Sequence, residues 1–365
     1  MSEIQFVAYD PQKILDDGMK AFEEALGIYV YPGDERRIFL EQLLQIVVGI
    51  KSDINESAKQ NLLRYSSGQY LDALGEFWNV SRLAAQKAKI KMQFTLSTTL
   101  PTSTFISKGT RVTPDGTLYY ATAADLIIPA GTVTGEVVAE STEGGQKYNG
   151  FAPGKITTIV DPMGFVATAQ NLTESAGGTD IEDDERYRAR IRLAPESIST
   201  AGPRGAYEFW AKSADPEISS ISVTSPAPGE VLVCVLLQGG EIPTQEIISK
   251  VQAALSDERR RPLTDHVTVQ APTQVDYDAI LTYYVAFADQ TKESIIRTAV
   301  ENAVLAYTEW QRAELGRAIN PDQLRKLILD AGAYRAVLTA PEFTELSQTQ
   351  VAKLNIKTIT YGGLA

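Results

Sequence analysis

Residues 176–199 read AGGTDIEDDERYRARIRLAPESIS, and this stretch marks a change from one kind of structure to another. A Gly-Gly turn precedes Thr179 and Glu182, whose spacing is that of a capping box at a helix N-terminus. The acidic residues from Asp180 to Glu185 favour the electropositive start of a helix, and four arginines continue along its body. A Gly/Thr-rich β segment comes before the stretch and a Gly/Pro loop at 200–208 follows it. The pattern therefore predicts a helix at a junction between domains.

The bulk composition is that of an ordinary globular protein with several cores. The chain has 365 residues, of which 44% are hydrophobic and 22% charged. At the common domain size of roughly 100 to 150 residues, two to four domains are expected. The net charge of −12 opposes direct binding to nucleic acid or anionic membranes, because the basic excess that neutralises phosphates is missing. The run Arg259–Arg261 is explained as a set of cations at a helix C-terminus. Because of this acidic balance, the partners of the chain are expected to be proteins.

The first 88 residues have a helical pattern from about Pro11 to Ala88. A shorter helix is expected to stop near Gly27, and a third is expected to carry apolar residues from Leu62 to Trp78. Between them, apolar residues recur at steps of three and four, and Leu40, Leu44 and Val47 widen the stripe beyond what one neighbouring helix would cover. Two interpretations stay open: a self-contained helical domain, or a bundle that is completed by helices of other chains. The candidate interface residues are Phe39, Leu43, Ile46, Val47, Ile50 and Ile54.

At Lys89 the hydrophobic period changes from helical to two. Ile90, Met92, Phe94 and Leu96 alternate with polar residues, as they do in a half-buried strand. From there to Asn171 the sequence is rich in Thr, Gly and Val and predicts a small all-β domain.

The rest of the chain alternates strand and helix patterns in two stretches of similar size, which suggests two-layer α+β units. In the first, strands at 218–223, 231–237 and 267–269 surround a helix at 243–259. In the second, a strand at 277–287 precedes helices at 290–311 and 320–329, and strands at 334–338 and 351–361 follow. The predicted fold is multidomain α+β: a helical bundle-forming segment (1–88), a β-rich domain (89–172), an α+β domain (173–272) and a C-terminal α+β domain (273–365).

No catalytic, cofactor or metal site is predicted. The one cysteine, Cys234, lies in an apolar run and is expected to be a buried, inert thiol. The one histidine, His266, has no second histidine with which to share a zinc ion or a relay. The acids from Asp180 to Glu185 lack the spacing of an EF-hand loop, and no glycine motif for phosphate binding is present. A pair of carboxylates acting on a glycoside needs no local motif, so that possibility stays open.

The chain start and the hydropathy give expectations about location. Residues 1–18 are acidic and have no apolar core of a signal peptide. No apolar run approaches the ~20 residues that a membrane span needs. Synthesis in the cytoplasm without a membrane span is expected.

Four segments in order resemble the baseplate J-like family, the wedge proteins of contractile phage tails and R-type tailocins. They are SSGQYLDALGEFWNVSRLAAQKA (66–88), KGTRV (108–112), GGTDIEDDERYRARI (177–191) and GPRGAYEFWAKSADPEI (202–218). The resemblance implies a non-enzymatic baseplate wedge subunit that links neighbouring wedge proteins into the baseplate ring, with its C-terminal units tying adjacent wedges together. The alternative is a tail-associated enzyme that cleaves carbohydrate or peptidoglycan.

The family resemblance also implies a set of partners and a place of assembly. The partners are a second copy of the chain, a smaller tail protein I-like wedge subunit and a lysozyme-like W-type baseplate protein. Assembly in the bacterial cytoplasm into a virion or tailocin baseplate is expected.

Overall fold

A computed structural model describes residues 4–199, 202–257, 262 and 264–365 of the chain. Within these residues lie eight α-helices and fourteen strands, so the predicted multidomain α+β class is confirmed. The chain divides into two compact units, each built from two segments. The N-terminal unit comprises Met1–Arg82 and Asp183–Arg192; the second comprises Leu83–Glu182 and Leu193–Ala365. The four predicted domain ranges stay a prediction.

The N-terminal unit is helical. Asp10 caps α1 by accepting a hydrogen bond from the Lys13 amide, and Gly27 ends it in a left-handed conformation with φ 68°, near the predicted stop. Asp34 caps α2 by accepting from the Arg36 amide. The helical pattern was expected to continue to Ala88, but the third helix ends at Glu76, and a turn at 77–79 and non-helical residues to Ala88 follow it. The helices are α1 (Pro11–Leu26), α2 (Glu35–Lys59), α3 (Gly68–Glu76) and α4 (Asp184–Leu193).

The predicted capping box at the start of α4 is wrong. Thr179 Oγ1 accepts from the Gln86 amide at 3.1 Å, and Glu182 Oε2 accepts from the Leu83 amide at 3.0 Å. Both side chains are buried, and they satisfy distant backbone donors instead of each other. The helix begins at Asp184, where the Oδ1 atom of the preceding residue, Asp183, accepts from the Arg186 amide at 3.0 Å.

The second unit begins with the β-rich part of the chain. The predicted alternation in β1 is confirmed, because Ile90, Met92, Phe94 and Leu96 are all buried. Six strands form one sheet in the order β7-β3-β4-β6-β1-β8, and β2 and β5 form a two-stranded ribbon beside it. The strands are β1 (Lys89–Leu96), β2 (Thr104–Ile106), β3 (Arg111–Thr113), β4 (Tyr120–Thr122), β5 (Leu126–Ile128), β6 (Thr134–Ser141), β7 (Thr158–Ile159) and β8 (Val166–Asn171).

A three-stranded sheet with two helices follows. Tyr207 and Ala211 of α5 and Val251 of α6 pack on Val233 and Val235 of the central strand. The predicted strands and helix are confirmed, although the helix is shorter than expected. The predicted helix-end arginines 259–261 lie outside the described residues. The elements are α5 (Arg204–Ala214), β9 (Ile218–Thr224), β10 (Glu230–Leu237), α6 (Gln245–Leu255) and β11 (His266–Gln270), in the sheet order β11-β10-β9.

The last part is a second three-stranded sheet that also carries two helices. Leu281 and Tyr283 of the central strand pack with Val300 and Val304 of the long helix and with Leu324 of the next one. That helix lies at the predicted place, with Asn320 as its cap and Pro321 as its first residue. The elements are β12 (Thr273–Val285), α7 (Glu293–Arg312), α8 (Pro321–Asp330), β13 (Arg335–Ala340) and β14 (Gln350–Leu364), in the sheet order β13-β12-β14.

Candidate assembly interface

Helix α2 has two apolar faces, and only one of them faces its own chain. Leu40, Leu44 and Val48 are half-buried on one side of the helix. Leu44 packs over Gly18 of α1 so closely that a Cβ on Gly18 would lie 2.5 Å from Leu44 Cδ2. The predicted apolar pattern of α2 therefore combines an intrachain contact with a separate surface.

The second face carries the six candidate interface residues, which we call the α2 stripe. Their exposed fractions lie between 39% and 66%. With about 100° of rotation per residue, the stripe covers roughly 100° of the helix circumference. From Phe39 to Ile54 it is about 22 Å long. Six large aliphatic and aromatic side chains in one such band form the kind of contiguous apolar surface that marks a protein contact. They are Phe39, Leu43, Ile46, Val47, Ile50 and Ile54.

Contacts at both ends hold α2 in place. Asn55 is buried, accepts from the backbone amides of Phe6 and Val7 at 2.8 and 3.0 Å, and donates to the Val7 carbonyl at 3.0 Å. Near the other end, Arg37 donates to the Val30 carbonyl at 3.1 Å and pairs with Glu41 at 2.8 Å. The helix therefore presents the stripe on a fixed support.

A polar cluster, which sequence reasoning missed, joins α4 to the residues around α3. Tyr187 is buried and donates from its hydroxyl to the Val80 carbonyl at 2.6 Å. Arg82 stacks over the Tyr187 ring at 4.7 Å and pairs with Asp184 at 2.8 Å. Arg188 is also buried and donates to the carbonyl oxygens of Leu63 and Ser66, at 2.8 and 2.7 Å.

The charged form of the Asp184 carboxyl is stabilised by its neighbours in this cluster. The Gly68 amide, at 3.1 Å from Oδ2, and then the Arg82 guanidinium hold the pKa of this carboxyl below its ordinary value. Hydrogen bonds to a carboxylate favour its charged form. The predicted run of arginines on α4 is thus partly internal: two of them, Arg188 and Arg190, are buried. Only the long-range contacts reveal this.

The candidates for chemistry in the sequence were Cys234, His266 and the acids from Asp180 to Glu185. Cys234 is fully buried, as predicted, and burial raises the pKa of its thiol to about 11. His266 is an exposed residue at the start of β11. Among the acids proposed for capping, Asp180 accepts from the Gln146 amide at 3.0 Å.

The described residues carry neither a cluster of metal ligands nor a membrane-spanning helix. Across them, we find no group of three or more His, Cys, Asp or Glu side chains that could hold a metal ion. In that part of the chain, too, no helix has the length and apolar character needed to cross a membrane.

Comparison with known proteins assigns most of the second unit. Family models match in consecutive order: the baseplate J-like protein barrel domain at residues 91–178, the baseplate J-like central domain at 199–271 and the baseplate J-like protein C-terminal domain at 280–362. The chain belongs to the baseplate J-like family. Every residue of the N-terminal unit lies outside these three ranges, including the α2 stripe and the polar cluster that joins α4 to the residues around α3.

One curated relative and one solved structure are also similar to the chain. The chain is 35% identical over 162 residues to baseplate protein J of Escherichia phage P2, which corresponds to 44% of this chain and 53% of that protein. The match thus spans about half the length of this J-like relative. A chain in the cryo-EM structure of the anti-feeding prophage baseplate, six-fold symmetrised, is 14% identical, with 94% of this chain and 90% of that chain covered and a TM-score of 0.48.

Proposed function

We propose that this chain is a structural wedge subunit of a contractile-tail baseplate, in a phage or a tailocin. The α2 stripe carries the proposal: a fixed helix bears six exposed apolar side chains in a chain whose sequence also contains three consecutive baseplate J-like domains. In this proposal the stripe packs against helices of other chains, and the C-terminal α+β units tie adjacent wedges into the ring.

The size of the stripe fits a bundle contact. Burying each half-exposed side chain of this kind contributes about 1 kcal/mol. Association costs at least about 4 kcal/mol in lost freedom of motion. The six side chains therefore yield a modest surplus, which suits a subunit that is held in place by several neighbours rather than by one.

The proposed neighbours are those expected from the family. They are a second copy of the chain, a smaller tail protein I-like wedge subunit and a lysozyme-like W-type baseplate protein. Assembly takes place in the bacterial cytoplasm, and the finished subunit belongs to the virion or tailocin baseplate. The four ranges 1–88, 89–172, 173–272 and 273–365 are proposed as domains of this subunit, with the helix α4 added to the first.

The test replaces Ile46 and Ile50 by Asp in the full chain, coexpressed with its neighbouring tail proteins. An unpaired carboxylate in a buried contact costs several kcal/mol, enough to abolish copurification. Because both side chains are exposed in the single chain, helical circular dichroism and melting temperature should change little.

The matched control is Ala21→Asp with Ala25→Asp. It adds two carboxylates at the same spacing to exposed positions of α1, and it should copurify normally. Unfolding of the lone Ile46→Asp/Ile50→Asp chain, or copurification equal to that of the control, would contradict the interface. Sustained, dose-dependent release of fragments from cell-wall material by the purified chain would instead support the enzymatic alternative.

A further inference from the structure

The middle strand of the central sheet, β10, is buried on both of its faces. Val233 and Val235 pack with α5 and α6 on one face. Cys234 and Leu236 point to the opposite face, because alternate residues of a strand lie on opposite sides of a sheet, and both are fully buried as well. A second layer of the protein therefore covers the face that α5 and α6 leave free.

The C-terminal domain supplies that second layer. Leu315, from the loop after α7, and Val351, from the start of β14, pack on Cys234 and Leu236 in one small apolar cluster. Each of the four side chains is at most 7% exposed. We call these four residues the α+β joint, because two belong to the matched central domain and two to the matched C-terminal domain. The two domains therefore share part of their core.

Hydrogen bonds between the two domains border the α+β joint. The Leu315 amide donates to Ser220 Oγ of β9 at 3.3 Å, and Ser222 Oγ of the same strand donates to Gln348 Oε1 at 3.4 Å. Both serines are cross-strand neighbours of joint residues of β10, so they lie on the same face of the sheet. Polar groups at this contact thus find partners in the opposite domain.

Two features of the backbone restrict movement at this contact. Ala271 and Pro272 alone separate β11 of the central sheet from β12 of the C-terminal sheet; neither is exposed, and proline fixes its own φ. Gly240 lies so close to the end of α7 that a Cβ on it would be 2.6 Å from the Arg312 carbonyl oxygen. Domains that move relative to each other are usually joined by exposed, flexible linkers that few contacts cross, which is not the arrangement here.

We propose that the central and C-terminal domains are locked through the α+β joint into one rigid arm, which moves and unfolds as a single body. Opening the joint would bring Cys234 and Leu236 into contact with water and leave β10 covered on one face only. The exposure of apolar surface opposes hinge motion between the two domains. The lock is a property of the single chain, whichever proteins the chain binds. A displacement of the C-terminal domain is therefore passed to the central domain without bending at their boundary.

Cys234 is the one cysteine of the chain, so its reaction with a maleimide reports opening of the joint. In the native full-length chain we expect labelling at least about 1,000-fold slower than in the urea-unfolded chain, which corresponds to an opening free energy of about 4 kcal/mol. In increasing urea, labelling should begin together with the loss of hydrogen-exchange protection in α6 of the central domain and in α7 of the C-terminal domain. Rapid labelling while both helices stay protected would overturn the lock, and so would different urea midpoints for the two helices.

Two neighbouring glycines provide a matched pair of variants. Gly239 and Gly240 both have left-handed backbone conformations, with φ 66° and 75°, but the nearest described atom to a Cβ on Gly239 is Arg312 Nη2, at 3.9 Å. Gly240→Ala should therefore lower the urea midpoints of α6 and α7 together, and it should speed up Cys234 labelling at least about tenfold more than Gly239→Ala does. A shift confined to one helix, or equal effects of the two substitutions, would contradict the lock. If the Gly240→Ala chain does not fold, the wild-type midpoints decide the question.

Discussion

Replacing Gly75 by Ala should destabilise the N-terminal unit strongly, although it adds only one methyl group. The new Cβ would lie 1.8 Å from the Tyr187 hydroxyl oxygen, 2.6 Å from its Cζ and 2.7 Å from the Val80 carbonyl oxygen. Tyr187 must therefore leave its position, where it is 1% exposed and donates to that carbonyl. Overpacking of a tight core costs about 1–3 kcal/mol and a lost buried hydrogen bond about 1 kcal/mol more, for a total of about 2–4 kcal/mol.

The effect should be measured by hydrogen exchange of peptides that cover α3 and α4. Loss of 2–4 kcal/mol would accelerate exchange there by roughly 30- to 1,000-fold where local opening controls it. Gly49→Ala is the matched control, because a Cβ at that helical position meets nothing within 4 Å. It should stabilise α2 by about 0.5–1 kcal/mol.

A second substitution separates the clash from the general loss of a glycine. Tyr187→Phe removes the oxygen nearest the new methyl group, so Gly75→Ala should cost at least about 1 kcal/mol less in the Phe background than in the wild type. Protection of α3 and α4 unchanged by Gly75→Ala would refute the reasoning. Strict additivity of the two substitutions would show that the clash with the hydroxyl is relieved in some other way.

Two further predictions concern the charged cluster and the unit boundary. Asp184→Asn should destabilise the N-terminal unit at pH 7. Because the folded-state pKa of Asp184 is lowered, the difference in urea stability from the wild type should be full above about pH 4 and shrink as the pH falls through that lowered pKa. A chain that begins at Leu83 should melt at a higher temperature than one that begins at Lys89, since Leu83 and Gln86 donate to Glu182 and Thr179; equal melting temperatures would contradict this role for residues 83–88.

Periodicity predicted the regular elements well and their partners poorly. The switch to period two at Lys89, the strand through residue 234 and the helix that begins near residue 320 all follow from local chemistry, and the structure confirms them. In α2, by contrast, apolar spacing alone does not show that Leu44 packs inside the chain while Ile46 is exposed. The same spacing of three and four residues describes both apolar faces of α2. Only the position of α1 shows which face is covered within the chain.

The error at Thr179 and Glu182 has the same cause. Their spacing suits a capping box. Yet both side chains accept hydrogen bonds from backbone amides more than 90 residues earlier in the chain, those of Gln86 and Leu83. These long-range backbone contacts replace the local capping of the helix by the two side chains. The place of α4 was likewise beyond local reasoning, because the buried role of Arg188 depends on carbonyl groups at Leu63 and Ser66.

The split composition of the N-terminal unit sets an order of events during synthesis. Its first segment, to Arg82, leaves the ribosome long before α4, which supplies the buried Tyr187 and Arg188. Domains generally fold in the order in which they are made. Here the β-rich region from Leu83 to Glu182 is synthesised before residues 183–192, and the residues around α3 that contact α4 complete their packing only after that. The nascent chain thus completes its first unit only after synthesis of its second has begun, when more than half of the protein exists.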